Sequence, residues 1–119
     1  MKIIEHLVEE ERILELEDEG ILIKDAQDLI DIVASYSVRK IIVRKESITP
    51  EFYDLKTKVA GEILQKASNY RIRIGIIGDF KDIKSKSLRD FIYESNKTGQ
   101  IVFKEKVEDI IDILRKEIY

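Results

Sequence analysis

Two runs of β-branched residues constrain the fold of this 119-residue chain more than any other feature. One is Ile41-Ile42-Val43, and the other is the isoleucine-rich stretch from Arg71 to Ile77. A continuous apolar run such as Ile41-Ile42-Val43 is typical of a central strand that is covered on both faces, as in parallel sheets, and Arg71 to Ile77 is interpreted as a second buried strand. Apolar residues at helical spacing precede each run, so we expect a β-α-β alternation with right-handed crossovers.

The remaining segments complete the order β-β-α-β-α-β-α-β-α. This order predicts an α/β fold with a mostly parallel mixed sheet of about five strands and helices packed on it. Strands are predicted over residues 2–8, 12–17, 38–44, 71–77 and 101–103, and the first two form a hairpin. Helices are predicted to follow the capping residues Asp25, Thr49 and Ser87, and a last one to run from Val107 to Ile118. We expect residues 1–119 to form a single α/β domain.

Composition excludes several classes of site. The chain has no cysteine, which excludes disulfides and thiolate metal sites, and a lone His6 cannot make a typical zinc site. We therefore expect no metal and no cofactor, and we interpret His6 as structural. The pI of about 5.3, without a basic stripe carrying aromatics, disfavours nucleic acid as a partner. Neither a membrane-length apolar run nor a signal sequence is present, so a cytoplasmic location is expected.

The sequence resembles known proteins at two levels. The order of elements resembles the STAS fold of anti-sigma factor antagonists, although the stretch after the third strand lacks the Asp-Ser-Ser-Gly of the STAS phosphoacceptor loop. At the level of sequence, five segments form a specific pattern: 45–57 (KESITPEFYDLKT), 60–66 (AGEILQK), 68–71 (SNYR), 78–80 (GDF) and 85–96 (SKSLRDFIYESN). This pattern resembles that of a small prokaryotic family of unknown function, DUF4180. The resemblance implies relatives but no activity.

Polar residues are predicted to converge at the carboxyl ends of the third and fourth strands, where ligands bind in open parallel sheets. Two loops, 45–49 and 78–86, leave these ends and would form one rim. The candidate anion-binding residues on this rim are Lys45, Glu46, Asp79, Ser85, Lys86, Ser87 and Arg89. A helix beginning near Ser87 would add free N–H groups and a positive dipole end. The alternative is that the serines cap the helix and the lysines are solvated.

Two further sets of residues have a functional and a structural interpretation. Glu46 and Asp79 could act as acid and base or hold Mg²⁺ through waters, or they could form ion pairs with neighbouring cations. Tyr53 and Phe80 are the better candidates for an exposed interaction surface, since Phe52 and Phe91 fall on apolar helix stripes. No serine has a histidine base and no glycine-rich turn opens a helix, so no catalytic residue is assigned.

These observations favour a non-enzymatic regulatory or protein-interaction domain with a STAS-like fold. The alternative is a domain that binds a small anionic ligand at the rim, and a small enzyme with a carboxylate base is the third hypothesis. A protein partner or a homodimer is consistent with the sequence. The apolar last helix and the exposed edge of the hairpin could each mediate homodimerisation, and the sequence does not choose between them.

Overall fold

A computed structural model describes residues 1–119 and has five strands and four α-helices. The strands are β1 (Lys2–Val8), β2 (Glu11–Glu17), β3 (Lys40–Arg44), β4 (Arg73–Ile77) and β5 (Ile101–Lys104). The helices are α1 (Ala26–Tyr36), α2 (Val59–Asn69), α3 (Lys86–Thr98) and α4 (Val107–Leu114). The predicted order of elements is confirmed, and so is the mixed α/β fold.

The five strands form one sheet in the order β1-β2-β3-β4-β5. Strands β1 and β2 pair antiparallel, and each later neighbour pairs parallel. Because the parallel strands always advance in the same direction across the sheet, right-handed crossovers place their helices on a single face. The sheet therefore has no reversal of strand order, and it lacks the crevice that such a reversal creates in doubly wound folds.

The core has one layer on each face of the sheet. The larger layer packs α1, α2 and α3 against the sheet and includes Leu14, Leu29, Ile63 and Phe52, which are almost fully buried. The smaller layer packs α4 against the opposite face, through Ile13, Ile42, Val102, Ile110 and Leu114. Gly75 of β4 gives α4 its close approach, because a Cβ atom at this position would overlap with the side chain of Ile110. No helix in the structure is long and apolar enough to cross a membrane.

Local sequence signals account for several of the turns and helix ends. Asp25 caps α1, since its carboxylate accepts a hydrogen bond of 2.9 Å from the backbone N–H of Asp28. Gly99 ends α3 in the left-handed conformation, with φ of 83°, which glycine adopts without a steric penalty. The two-residue turn Glu9-Glu10 has positive φ at both positions, as the tight turn of a twisted hairpin requires.

The structure corrects the predicted start of the second helix. Thr49 makes no capping hydrogen bond, and residues 45–57 form three short 3-10 turns before α2 begins at Val59. Here the side chains compete for backbone groups: Asp54 accepts from the Lys56 N–H, and the Thr57 hydroxyl donates to the carbonyl oxygens of Glu51 and Asp54. These bonds hold a compact crossover in place of a first helical turn.

Two other helix predictions are also corrected. Ser85, and not Ser87, caps α3, since the Ser85 hydroxyl accepts a 3.2 Å hydrogen bond from the Leu88 N–H. The last helix ends at Leu114, and Ile118 lies beyond it with 38% of its surface exposed. The apolar face of α4 is itself buried on the sheet, because Ile110 and Leu114 have no exposed surface. This helix therefore offers less to a second copy than its sequence suggests.

Candidate functional site

The rim at the carboxyl ends of β3 and β4 is organised around Lys45. The two strands are neighbours, with Arg44 paired to Ile77, so the loops that follow them meet. Gly78 leaves room for the Lys45 side chain, because a Cβ atom at position 78 would lie 2.8 Å from the Cβ of Lys45. The Lys45 ammonium donates to the Asp79 carbonyl oxygen at 3.1 Å and lies 5.1 Å from the centre of the Phe80 ring. The Lys45 ammonium thus has a hydrogen-bond acceptor and a cation–π contact within the rim.

The two carboxylates of the rim have separate surroundings. Asp79 accepts a 2.9 Å hydrogen bond from the backbone N–H of Lys81, which is turn chemistry. Glu46 is exposed and lines an open surface depression together with Lys2, Glu17 and Arg44. No hydrogen bond or ion pair joins Glu46 to Asp79. The arrangement therefore lacks the shared proton or shared cation that a carboxylate pair would need for acid–base chemistry.

The start of α3 uses its polar groups locally. Ser85 is the cap, and Ser87 is exposed inside the first helical turn. Lys86 forms a 2.8 Å ion pair with Asp90, one turn along the same helix. The Arg89 guanidinium donates to the carbonyl oxygens of Ile83 and Lys84, at 2.9 and 3.0 Å. The structure brings the loops of the rim together, but each predicted cation already has a partner, and the role of this rim in binding an anion stays a prediction.

An aromatic cluster lies under the rim. Phe80 packs edge-on against Phe103 at 5.2 Å between ring centres, and Phe52 packs edge-on against Tyr53 at 5.0 Å. Tyr53 and Phe80 are half-buried, so they are less exposed than the sequence suggests. The Tyr53 hydroxyl donates to the Lys45 carbonyl oxygen at 2.8 Å. Burial, and secondarily the negative charge of Glu46, raises the pKa of Tyr53 above its ordinary value.

The opposite end of the sheet contains two buried cations that the sequence interpretation missed. Lys40 and Arg73 are 5% and 2% exposed. The Arg73 guanidinium donates to the carbonyl oxygens of Gly99, Ile113, Leu114 and Lys116, and the Lys40 ammonium donates to Glu11 and to the Leu114 carbonyl oxygen. These bonds satisfy the free carbonyl groups at the end of α4. A basic residue inside an otherwise apolar strand was the available signal.

A cavity of about 340 Å³ adjoins this cationic cluster. It is lined by Glu11, Arg39, Lys40, Arg71, Arg73, Glu117, Ile118 and Tyr119. Arg39 donates to the Tyr70 carbonyl oxygen, and the Arg71 guanidinium stacks 5.2 Å from the centre of the Tyr119 ring. The two buried cations beside this cavity bind mainly the carbonyl groups of the last turn of α4 and of Lys116 just after it. We interpret the cluster as a structural clasp for the C-terminal end of α4.

His6 lies on the α4 side of the hairpin, opposite Ile13 of β2. Its Nε2 atom forms a 2.9 Å hydrogen bond with Oε1 of the buried Glu15. Nearby, Arg44 pairs with Glu17 at 3.1 Å, and this contact lowers the pKa of Glu17. No group of three histidine or acidic side chains in the chain is arranged to hold a metal ion. His6 has a carboxylate partner, in keeping with a structural role.

The free edge of β1 is the most open apolar surface of the molecule. Leu7 is 68% exposed and Ile3 is 43% exposed, and both lie on the same face of the sheet as the buried Leu14 and Leu16. A groove of about 210 Å³ runs beside them, between β2 and α1. It is lined by Met1, Leu16, Leu22, Asp31, Ile32, Ser35 and Tyr36. Apolar side chains and an unpaired strand therefore coincide at this edge.

These features define a small α/β domain with sequentially ordered parallel strands, a hairpin at one edge and no assembled catalytic centre. The chain belongs to the family described as "Domain of unknown function (DUF4180)", which matches residues 8–114. The match spans β2 to α4 and includes only the last residue of β1. No curated protein and no solved structure matches the chain.

Proposed function

We propose that this chain is a non-enzymatic protein-interaction domain that binds its partner through the free edge of β1. The observation that carries the proposal is the coincidence of an unpaired strand with the exposed side chains of Ile3 and Leu7. Strand addition at such an edge is a common mode of protein recognition, because main-chain hydrogen bonds supply affinity and alternate side chains supply specificity.

The backbone of β1 supports strand addition. The turn Glu9-Glu10 closes the hairpin with Val8 opposite Glu11, and the pair that flanks a two-residue turn exchanges both of its hydrogen bonds. Alternate residues of β1 therefore bond to β2, starting from Val8. The N–H and C=O groups of Ile3, Glu5 and Leu7 point away from β2, toward the open edge.

The edge lacks most of the features that protect natural sheet edges, which are short length, bulges, proline and charged side chains. Its charged residues within the strand are Lys2 at one end and Glu5 at the centre. Strand β1 has seven residues in unbroken register with β2, and the only proline of the chain is Pro50. The opposite edge is different, since β5 has only four residues and α3 packs against it. This contrast favours β1 as the contact surface.

Features of the rim and of the fold bear on the non-enzymatic and regulatory parts of the proposal. A non-enzymatic role agrees with the local pairing of Lys45, Lys86 and Arg89 and with the separation of Glu46 from Asp79. The STAS-like, regulatory part rests on the order of elements, which is an analogy of fold. We keep the cytoplasm as the expected location. Anion binding at the rim is the alternative, and it has less support because its cations already have partners.

Site-specific photo-crosslinking tests the proposed surface. A photoreactive amino acid at Leu7, in the full chain expressed in its host, should give discrete adducts that mass spectrometry identifies. The matched control is the same group at Tyr93, which is 61% exposed on α3. Adducts at Leu7 that are absent at Tyr93 would support the proposal. Equal labelling at both positions, or none at Leu7, would contradict it.

A further inference from the structure

We infer that the partner at the β1 edge is a second copy of this chain, which pairs antiparallel with β1 around a two-fold axis at Glu5. This inference rests on the proposed interaction role of β1 and specifies its partner. The two five-stranded sheets would join into one continuous sheet of about ten strands. The α1 helices of both copies would lie on the same side of that sheet, since the axis is perpendicular to it.

The order of outward-facing residues is what makes the edge self-complementary. Ile3, Glu5 and Leu7 present their backbone groups outward, and their side chains share one face. With Glu5 on the axis, Ile3 of each copy lies opposite Leu7 of the other. Three pairs would then exchange about six main-chain hydrogen bonds. A register shifted by two residues would instead place Glu5 opposite Ile3 or Leu7.

Charge complementarity at the ends of the strands favours the same register. When Glu5 is on the axis, Lys2 lies opposite Val8 of the other copy and therefore next to its acidic turn, Glu9-Glu10. Both glutamates of that turn are exposed. Each end of the paired strands thus joins a lysine to two carboxylates, once per copy. Opposite charges in such cross-strand positions stabilise pairing.

At the centre of the interface, repulsion between two Glu5 carboxylates is partly offset by the neighbouring Arg12 side chains. Two Glu5 carboxylates face each other at the axis, which opposes association. Within each chain Arg12, which lies diagonally across from Glu5 on β2, donates to the Glu5 carboxylate at 3.2 Å, so each of the two facing carboxylates keeps a cation beside it. Substitution of Glu5 therefore tests this register specifically, because removal of the two facing charges should strengthen the dimer.

The apolar row beside these charges gives association its driving force. Ile3 and Leu7 from both copies would form two aliphatic pairs, one on each side of the Glu5 pair, on the sheet face that carries the two α1 helices. Nothing within the chain covers them: α1 packs over Leu14 and Leu16, one strand further into the sheet. Their burial removes from water the most exposed aliphatic surface of the molecule, Leu7 at 68%.

Sedimentation of the full chain over a wide concentration range tests the state of association. We expect a reversible dimer of twice the 13.9 kDa chain mass. Leu7→Ser should weaken the dimer at least about tenfold, whereas Tyr93→Ser on α3 should leave it unchanged. Glu5→Gln should strengthen it several-fold. A monomer at all concentrations up to about 1 mM, a range covering even weak specific complexes, would overturn the inference.

Thiol cross-linking tests the register, since the chain has no native cysteine. A short bismaleimide, which adds to two thiols, should join Glu5→Cys to itself, because residue 5 lies on the axis. Ile3→Cys alone should not cross-link, but a mixture of Ile3→Cys and Leu7→Cys should. A dimer in which Glu5→Cys fails to cross-link would overturn this geometry. Circular dichroism checks that each variant is folded.

Different results would overturn the interaction role of β1 and the homodimer through β1. Adducts at Leu7 with another protein, combined with a monomeric chain, would leave the interaction role of β1 in place and overturn the homodimer. Absence of both adducts and dimer would overturn the proposed function itself. Adducts at Leu7 that consist of the chain cross-linked to itself would support both.

Discussion

Gly75 of β4 and Ile110 of α4 lie so close together that a Cβ atom at position 75 would overlap with Cγ2 of Ile110. Both residues are buried, and the contact sets the distance between α4 and its face of the sheet. Gly75→Ala should therefore destabilise the protein by about 1–3 kcal/mol, the usual cost of overpacking. Urea denaturation measures this change.

Gly61 provides the matched control for that substitution. It lies in the middle of α2, is exposed, and has no atom within 4 Å of the position where a Cβ would be added. Gly61→Ala should stabilise the protein by up to about 1 kcal/mol, since alanine has the higher helix propensity. If both glycine variants changed stability in the same direction, the packing argument at Gly75 would be wrong.

Arg73 is expected to be the polar side chain whose removal costs the most stability. Arg73→Leu should lower the free energy of unfolding by about 3–5 kcal/mol, because it leaves several buried carbonyl oxygens without a donor. Arg71→Leu is the control, since this exposed arginine has a stacking contact with Tyr119 and should cost less than about 1 kcal/mol. A comparable loss in both variants would show that the clasp at the end of α4 is not the cause.

Asp28 should make stability depend on pH. Its carboxylate accepts a 2.9 Å hydrogen bond from the Lys24 N–H, and this bond, with the Lys24 charge, holds the pKa of Asp28 below its ordinary value of 3.8. A lowered pKa in the folded state stabilises the fold above pH 3.8, and this contribution is lost as the pH falls through the folded-state pKa. Asp28→Asn should therefore lose stability at pH 7 and approach the parent chain as the pH falls through the lowered folded-state pKa of Asp28. The measurement is the free energy of unfolding of both proteins as a function of pH. If the two proteins differed by the same amount at every pH in this range, the assignment to Asp28 would be wrong.

Tyr53 should resist ionisation in the folded protein. Burial raises its pKa, so the folded state holds the neutral phenol at pH values where an ordinary tyrosine ionises. Its stabilising contribution is complete below about pH 10 and is lost as the pH rises toward the folded-state value. Tyr53→Phe also removes the hydrogen bond to the Lys45 carbonyl oxygen, and should cost about 0.5–1.5 kcal/mol at neutral pH. Ultraviolet titration of both chains, folded and in denaturant, measures the difference; a folded parent chain that ionised one more tyrosine than Tyr53→Phe near pH 10 would argue against a raised pKa.

At the candidate sites, the sequence predicted the position of the loops but not the hydrogen-bond partners of their side chains. The loops after β3 and β4 were expected to meet, and they do, because neighbouring parallel strands end at the same edge. The partners of Lys45, Lys86 and Arg89 could not be predicted, since they are carbonyl groups and carboxylates positioned by the loops themselves. The clasp of Lys40 and Arg73 was missed, because its acceptors lie at the C-terminal end of α4, far along the chain.

The sequence by itself determined the order of strands and helices, the hairpin, the cap at Asp25 and membership of the family. These features depend on periodicity and on residues close together in the chain, so local sequence is enough. Only the tertiary structure decided that α4 covers the face opposite α1, α2 and α3, that residues 45–57 form 3-10 turns, and that β1 remains uncovered. These outcomes depend on burial and on hydrogen bonds between distant residues, which compete with local preference and override it where they are stronger.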